Sequence, residues 1–259
     1  MSATHQMTTV QPDLSGRDIA VLQALLDQEP TAARSAPIAH DKEISLPMLE
    51  DEVTRNLRER EKAIISKFQL AKNGGPTSVG LQEGYEGLTQ LSVIIEEYPR
   101  YSSAYVNRAQ ISRLMIENGH IRVDDVLRDM DNGRPQLNPF NDLREAISLS
   151  RGQGHNSPAP ISKFQAEILQ SAYTHRGLIF LKASDITASA ENNIFLKLLP
   201  EALQKMSPSQ LESIANEDFN EGAYFGSSVA RHMAVRTNPY AKACGAIVKQ
   251  AMEEEASGA

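Results

Sequence analysis

The chain has no Trp, one Cys and only 5% aromatic residues in 259. A single thiol, Cys244, excludes an internal disulfide framework and any zinc site built on two thiolates. No stretch approaches the roughly 20 apolar residues that a membrane span requires. Residues 1–15 are polar and carry no apolar run of the secretory kind, so no leader peptide is expected. The net charge is −7, which removes the general electrostatic footprint for nucleic acid and for anionic membranes.

Catalytic signatures are missing too. The six His stand in no His-Glu-x-x-His spacing, and no Gly-x-Ser-x-Gly occurs. "RGQGH" at 151–155 contains glycines but lacks the Gly-Lys-Ser/Thr ending of a phosphate loop, and it reads as a flexible connector. "HDKE" at 40–43 reads as a solvated surface cluster, and "RNLREREK" at 55–62 as the exposed face of a helix. No catalytic residue, metal site or cofactor is expected, and the chain is read as non-enzymatic. The expected compartment is the cytoplasm, with the nucleus also open.

What the sequence does have is helix-forming composition. Hydrophobic residues reach 41%, and Ala, Leu, Glu, Gln and Arg dominate over β-branched runs. Residues 1–50 form an N-terminal segment with a short helix at 16–28, capped by Ser15 and stopped by Pro30, followed by a linker over 30–50 that lies over the next domain. A long helix over 51–73 carries Val53, Leu57, Ile64, Phe68 and Ala71 on one stripe and ends at Gly74-Gly75. A second helix ends at Tyr98-Pro99, and a third runs from Ser102 to about Asn118. "RVDDVLRDM" reads as helical. Asn138 caps a helix with Pro139 at its first position. Residues 161–182 form a further long helix, and "NIFLKLLPEALQKM" a Pro-interrupted pair. Ser207 and Gln210 open another helix as a capping box, and a last helix lies within 238–255. The fold is read as all-α.

Paired helices raise the question of a repeat, and the 34-residue tetratricopeptide unit is the natural template. Pro99 fits its closing proline, Gly87 and Leu91 its second helix, and Tyr105 with Ala109 the first helix of the next unit. Tyr173 and Gly177 repeat that Tyr-to-small spacing, followed by Phe219 and Gly222. Insertions near 76–84, 130–141 and 183–209 break the period, and residues 51–259 are read as one tetratricopeptide domain. In such a unit the small residues let helices approach while large ones fill the gaps. Arg108, beside Tyr105, is read as a partner for an acid on a neighbouring helix. Cys244 is read as a buried structural thiol.

"SAYVNRAQISRL", "DLREAISLS", "AYTHRGLIFL", "NPYAKAC" and the early "DIAVLQALL" together resemble the tetratricopeptide repeat protein 36 family. The resemblance runs in pieces from about Asp18 to Met252. It implies a helical-hairpin solenoid of about three repeats with a C-terminal capping helix, acting as a protein-protein adaptor. The family is linked to Hsp70-type chaperones and, in animals, to tyrosine catabolism, so a co-chaperone or a regulator of amino-acid metabolism working through other surfaces is the alternative.

In a solenoid of helix pairs the first helices line a concave groove that takes peptides or partner helices. On this template the groove residues are Lys62, Gln69, Asn107, Gln110, Arg113, Thr174 and His175. A chaperone-type carboxylate clamp needs Lys, Asn and Arg converging on a C-terminal carboxylate. Only Asn107 occupies a clamp position with the right residue. Ile65, Gln69, Ser171 and His175 replace the others, so the usual capture of an acidic chaperone tail is not expected.

Overall fold

The structure is a computed structural model that describes residues 35–39, 44–72, 81–120, 138–151, 160–185 and 193–239, together with Cys244 and Ile247. The chain divides into two units, residues 1–34 and residues 35–259, and everything described belongs to the second. The sequence-predicted helices at 16–28 and in "RVDDVLRDM", and the connector after Arg151, lie outside the described residues.

The described chain is helical, with β pairing confined to two isolated bridges, Ile38 with Ile161 and Leu46 with Leu49. Its helices are α1 Asp51–Lys72, α2 Leu81–Glu97, α3 Ser102–Glu117, α4 Pro139–Arg151, α5 Lys163–Ala183, α6 Ile194–Lys197, α7 Glu201–Gln204, α8 Pro208–Tyr224 and α9 Ser228–Thr237. Local chemistry sets many of the boundaries. Asn138 accepts from the Asn141 amide at the head of α4. Ser162 with Gln165 and Ser207 with Gln210 form reciprocal capping boxes at α5 and α8. Pro200 separates α6 from α7.

Three boundaries differ from the sequence reading. Ile161 is not helical: its backbone pairs with the incoming strap, and Ser162 starts the helix. Leu81–Gly84, within the insertion expected near 76–84, are helical and belong to α2. The helix α9 was not foreseen. It is capped by Ser227 and packs on α8 and α5, ahead of the expected C-terminal helix.

The helices pack in series: α1 on α2, α2 on α3, α3 on α4, α4 on α5, α5 on α8 and α8 on α9, with α3 also on α5. Contacts show that several neighbours run antiparallel. Arg60 meets Glu97 while Ile64 lies by Gly87. Gly87 faces Ile111 while Gly84 faces Met115. Phe140 packs edge-on against Phe180 while Gln165 bonds to Ser150. A Cβ on Gly177 would come within 2.8 Å of the Phe219 ring, so only glycine permits the close crossing of α5 and α8.

A side-chain module recurs in two successive helix pairs. On α3, Arg108 makes a two-pronged ion pair with Asp142 of α4, at 2.9 and 2.6 Å, and lies over the Tyr105 ring. On α5, Arg176 makes the same pair with Asp218 of α8, at 2.8 and 2.7 Å, and lies over the Tyr173 ring. In sequence the module is Tyr-x-x-Arg-Ala/Gly on one helix and Asp-Leu/Phe-x-x-Ala/Gly on the helix that pairs with it: Tyr105, Arg108, Ala109 with Asp142, Leu143, Ala146; then Tyr173, Arg176, Gly177 with Asp218, Phe219, Gly222. The acid partner expected for Arg108 is therefore Asp142.

Residues 35–39 cross two helix ends as an extended strap. The Ala36 amide donates to the Tyr224 carbonyl at 2.9 Å, Ala39 donates to Ile161 at 2.8 Å, and Ile161 donates back to Pro37 at 3.0 Å. Leu46 then buries itself in the core, leaving 4% of its surface exposed, just before α1 begins.

Candidate protein-binding surface

Helices α1, α3 and α5 converge. Tyr101, at the head of α3, lies with its ring 6.5 Å from Phe164 of α5. Arg58 of α1 stacks 4.6 Å over Phe164 and reaches Glu167 at 3.3 Å. The seam between α1 and α3 is polar, and its centre is Glu61, only 3% exposed. One carboxylate oxygen accepts from Ser103 Oγ at 2.7 Å and from Tyr101 OH at 2.9 Å. The other oxygen has no hydrogen-bond partner. Burial pushes the Glu61 carboxyl above its ordinary range, while the hydrogen bonds from Ser103 and Tyr101 and the nearby Asn107 amide pull it back. Burial and the Glu61 charge together push the Tyr101 phenol up. Tyr101 is the N-cap residue of α3 and makes no side-chain cap bond. The acid from α1 sits at that positive helix end, where the peptide dipoles favour it.

The neighbouring part of α3 carries Asn107, whose amide is 3.5 Å from Ser103 Oγ, then Gln110 and Arg113. Asn107 and Gln110 are half-buried. Arg113 is 8% exposed, pairs with Glu117 at 2.6 Å, and leaves its Nε without a partner. His175 of α5 is close enough to feel that guanidinium. Burial first, and the Arg113 charge second, lower its imidazole from 6.5 to about 4, so it is neutral at physiological pH. Its Nδ1 is buried and unpartnered.

Of the sequence-predicted residues, the structure sets Asn107 on the Glu61–Ser103 network and places Arg113 beside His175. Lys62 is exposed on α1, and the Gln69 side chain lies outside the described residues. Thr174 is a correction. Its hydroxyl donates back to the Gln170 carbonyl at 2.6 Å and meets Ser227 Oγ at 3.0 Å, where α9 begins. It is buried, 7% exposed, and so is Arg113 at 8%, so neither presents a free polar group to a partner. Cys244 is a second correction: it is exposed. Helical spacing alone placed it on a packing face, and spacing cannot say which face a neighbour covers.

Sequence reading missed Glu61, Tyr101 and the two Asp partners. The recurrence of Asp one residue before Leu143 and Phe219 was the available signal for the Asp pair. Nothing local links Glu61 to Tyr101. Among the described residues, no group of three or more His, Cys, Asp or Glu could hold a metal ion, and no helix is long and apolar enough to cross a membrane. The accessible polar groups of this face are the half-buried amides of Asn107 and Gln110, beside a buried acid. Such amides can exchange hydrogen bonds with a bound chain.

No family model and no solved structure matches the chain. A protein of Aspergillus fumigatus named L-tyrosine degradation gene cluster protein hmgX is 38% identical over 263 residues, covering 97% of this chain and 98% of the relative. Similarity at that level and over nearly the whole of both chains places this one in the family of the hmgX protein of the L-tyrosine degradation gene cluster.

Proposed function

We propose that this chain is an adaptor of tetratricopeptide type that serves L-tyrosine degradation by holding a protein partner on the face shared by α1, α3 and α5. The observation that carries the reading is the recurrence of the Tyr–Arg–Asp module in two successive helix pairs. A device repeated at corresponding places is how a helical array keeps the same crossing from one unit to the next, and such arrays bind along their first helices. The resemblance to the tetratricopeptide repeat protein 36 family supports the same assignment. The process comes from the name of the Aspergillus fumigatus relative. The polar residues Asn107 and Gln110 are the contacts on α3, with Lys62 at the rim on α1.

A chaperone-type clamp is a poorer reading. His175 stands where a cation would be required, and its imidazole is neutral, with a pKa lowered to about 4.

The test is L-tyrosine consumption by a strain whose own copy is deleted and replaced by variants of this chain. The double variant Asn107→Ala, Gln110→Ala should fail to restore consumption while its far-ultraviolet dichroism stays that of wild type. Full restoration by a folded double variant overturns the assignment of this face.

A further inference from the structure

Among the described residues, the packing of successive pairs leaves a face of α1 and α2 uncovered. On α3, the residues meeting the preceding helix α2 include Ala104, fully buried, and Arg108, whose guanidinium donates to Ser92 of α2 at 3.0 Å. On α5, Leu169, Ala172 and Tyr173 are buried in the same way beneath α4, with Arg151 of α4 over the Tyr173 ring. Aligning the three first helices by the module puts Arg60, Ala63, Ile64 and Lys67 of α1 at the places of Tyr101, Ala104, Tyr105 and Arg108 of α3. Gln90 of α2 stands at the place of Asp142. Those residues, with Val93 and Ile94, line a surface groove of about 340 Å³. Ala63 is exposed there, and Val93 is 42% exposed.

The charge on this face is unbalanced in a telling way. In the later pairs the Arg is neutralised by an Asp of its own pair. Here Lys67 lines the groove with Gln90, which cannot neutralise it, and no ion pair joins Lys67 to another of the described residues. Arg60 adds a second cation, already joined to Glu97 at 2.7 Å. A floor in which exposed Ala63 and Val93 lie over buried Ile64 and Ile94, with Lys67 at its edge, is complementary to a helix with an apolar stripe and an acid in the register of Ser92. The molecule contains a template for that helix: α2, which covers the matching face of α3 and bears Glu83, Glu86, Glu96 and Glu97 with no basic residue.

We propose that the outer α1/α2 groove is a second docking site, and that its occupant is an acidic amphipathic helix of a partner protein, laid down as α2 is laid on α3. A second copy of this chain fits less well. Two such faces would oppose Lys67 to Lys67, and α9 has basic Arg231 and Arg236 but no acid. The proposal shares with the adaptor reading only the recurrence of the helix pairs. Asn107 and Gln110 play no part in it.

The test uses the full chain and fluorescein-labelled synthetic peptides of residues 81–97, stapled between the positions of Glu86 and Gln90 to keep them helical. One peptide has the natural Ser92, one Ser92→Glu and one Ser92→Lys, and binding is read by anisotropy. Saturable binding is expected in the order Glu, Ser, Lys, with about threefold between steps, as an exposed ion pair gives. Lys67→Glu in the full chain should reverse that order. Ala63→Arg, at an exposed helical site, should weaken all three peptides roughly tenfold or more by blocking the floor. Absence of saturable binding, or binding indifferent to Ala63→Arg and Lys67→Glu, overturns the proposal. Self-association of the wild-type chain that Ala63→Arg abolishes also overturns it, because the occupant is then a second copy. None of these results bears on tyrosine consumption by the Asn107, Gln110 variant, so the two readings fail separately.

Discussion

Replacing Asp218 by Ala removes one half of a buried ion pair and leaves the other. Its side chain is 6% exposed and that of Arg176 is 20%, and two hydrogen bonds of 2.8 and 2.7 Å join them. A guanidinium left buried without its carboxylate costs about 3–5 kcal/mol. Total stabilities are about 5–15 kcal/mol, so this is a large fraction. At ~2–4 °C per kcal/mol for a chain of this size, the melting midpoint should fall by about 10 °C. The surface pair Lys205–Glu201, with side chains 72% and 81% exposed, is the internal control. Glu201→Ala should cost under ~0.5 kcal/mol, because water already solvates both charges. The double variant Arg176→Met, Asp218→Leu should recover most of the loss, since two apolar groups of similar volume need no counter-ion. Urea unfolding followed by helical dichroism measures all three. If Asp218→Ala costs no more than Glu201→Ala, the module is decoration, not the joint between α5 and α8.

Gly177→Ala should cost about 1–3 kcal/mol, because its Cβ would sit 2.8 Å from the Phe219 ring at a crossing with little slack; the same urea titration checks it. Glu61 titrates above its ordinary 4.5 when folded, so the folded state holds that proton more tightly and its buried charge becomes a burden as pH rises. Glu61→Gln should therefore raise the melting temperature at about pH 8, and the gain should disappear near pH 4, where the native carboxyl is itself protonated. The His175 ring should titrate near pH 4 in a proton NMR series, not near 6.5. Because its folded value is depressed, the stability it confers is complete above 6.5 and fades as pH falls toward 4.

Features carried by adjacent residues were legible in the sequence. Ser207 and Gln210, Asn138 with Pro139, and the stop at Tyr98-Pro99 each act within one turn of a helix, and each appears where the sequence placed it. Features that depend on which element arrives from elsewhere were not legible. Ile161 leaves its helix because a strap more than a hundred residues earlier takes its backbone hydrogen bonds. Thr174 turns inward because α9, itself unforeseen, lays Ser227 against it. Glu61 reads in sequence as one more acid on a solvated helix face. It is buried only because Tyr101 and Ser103, some forty residues on, close over it. The Arg–Asp module lies between these cases. Its residues recur in the sequence, but Arg and Asp are 34 residues apart in one copy and 42 in the other, which hides the period.

The most direct measurement is site-specific photo-crosslinking in cells degrading L-tyrosine, with a photoreactive residue placed at Gln110 and, as control, at Glu96. Gln110 is half-buried on the face shared by α1, α3 and α5, whereas Glu96 points outward from α2. The adaptor account predicts one discrete adduct from Gln110 with an enzyme of L-tyrosine degradation, and none from Glu96. A chain that supports tyrosine consumption yet yields no adduct at Gln110, or the same adducts from both positions, contradicts it.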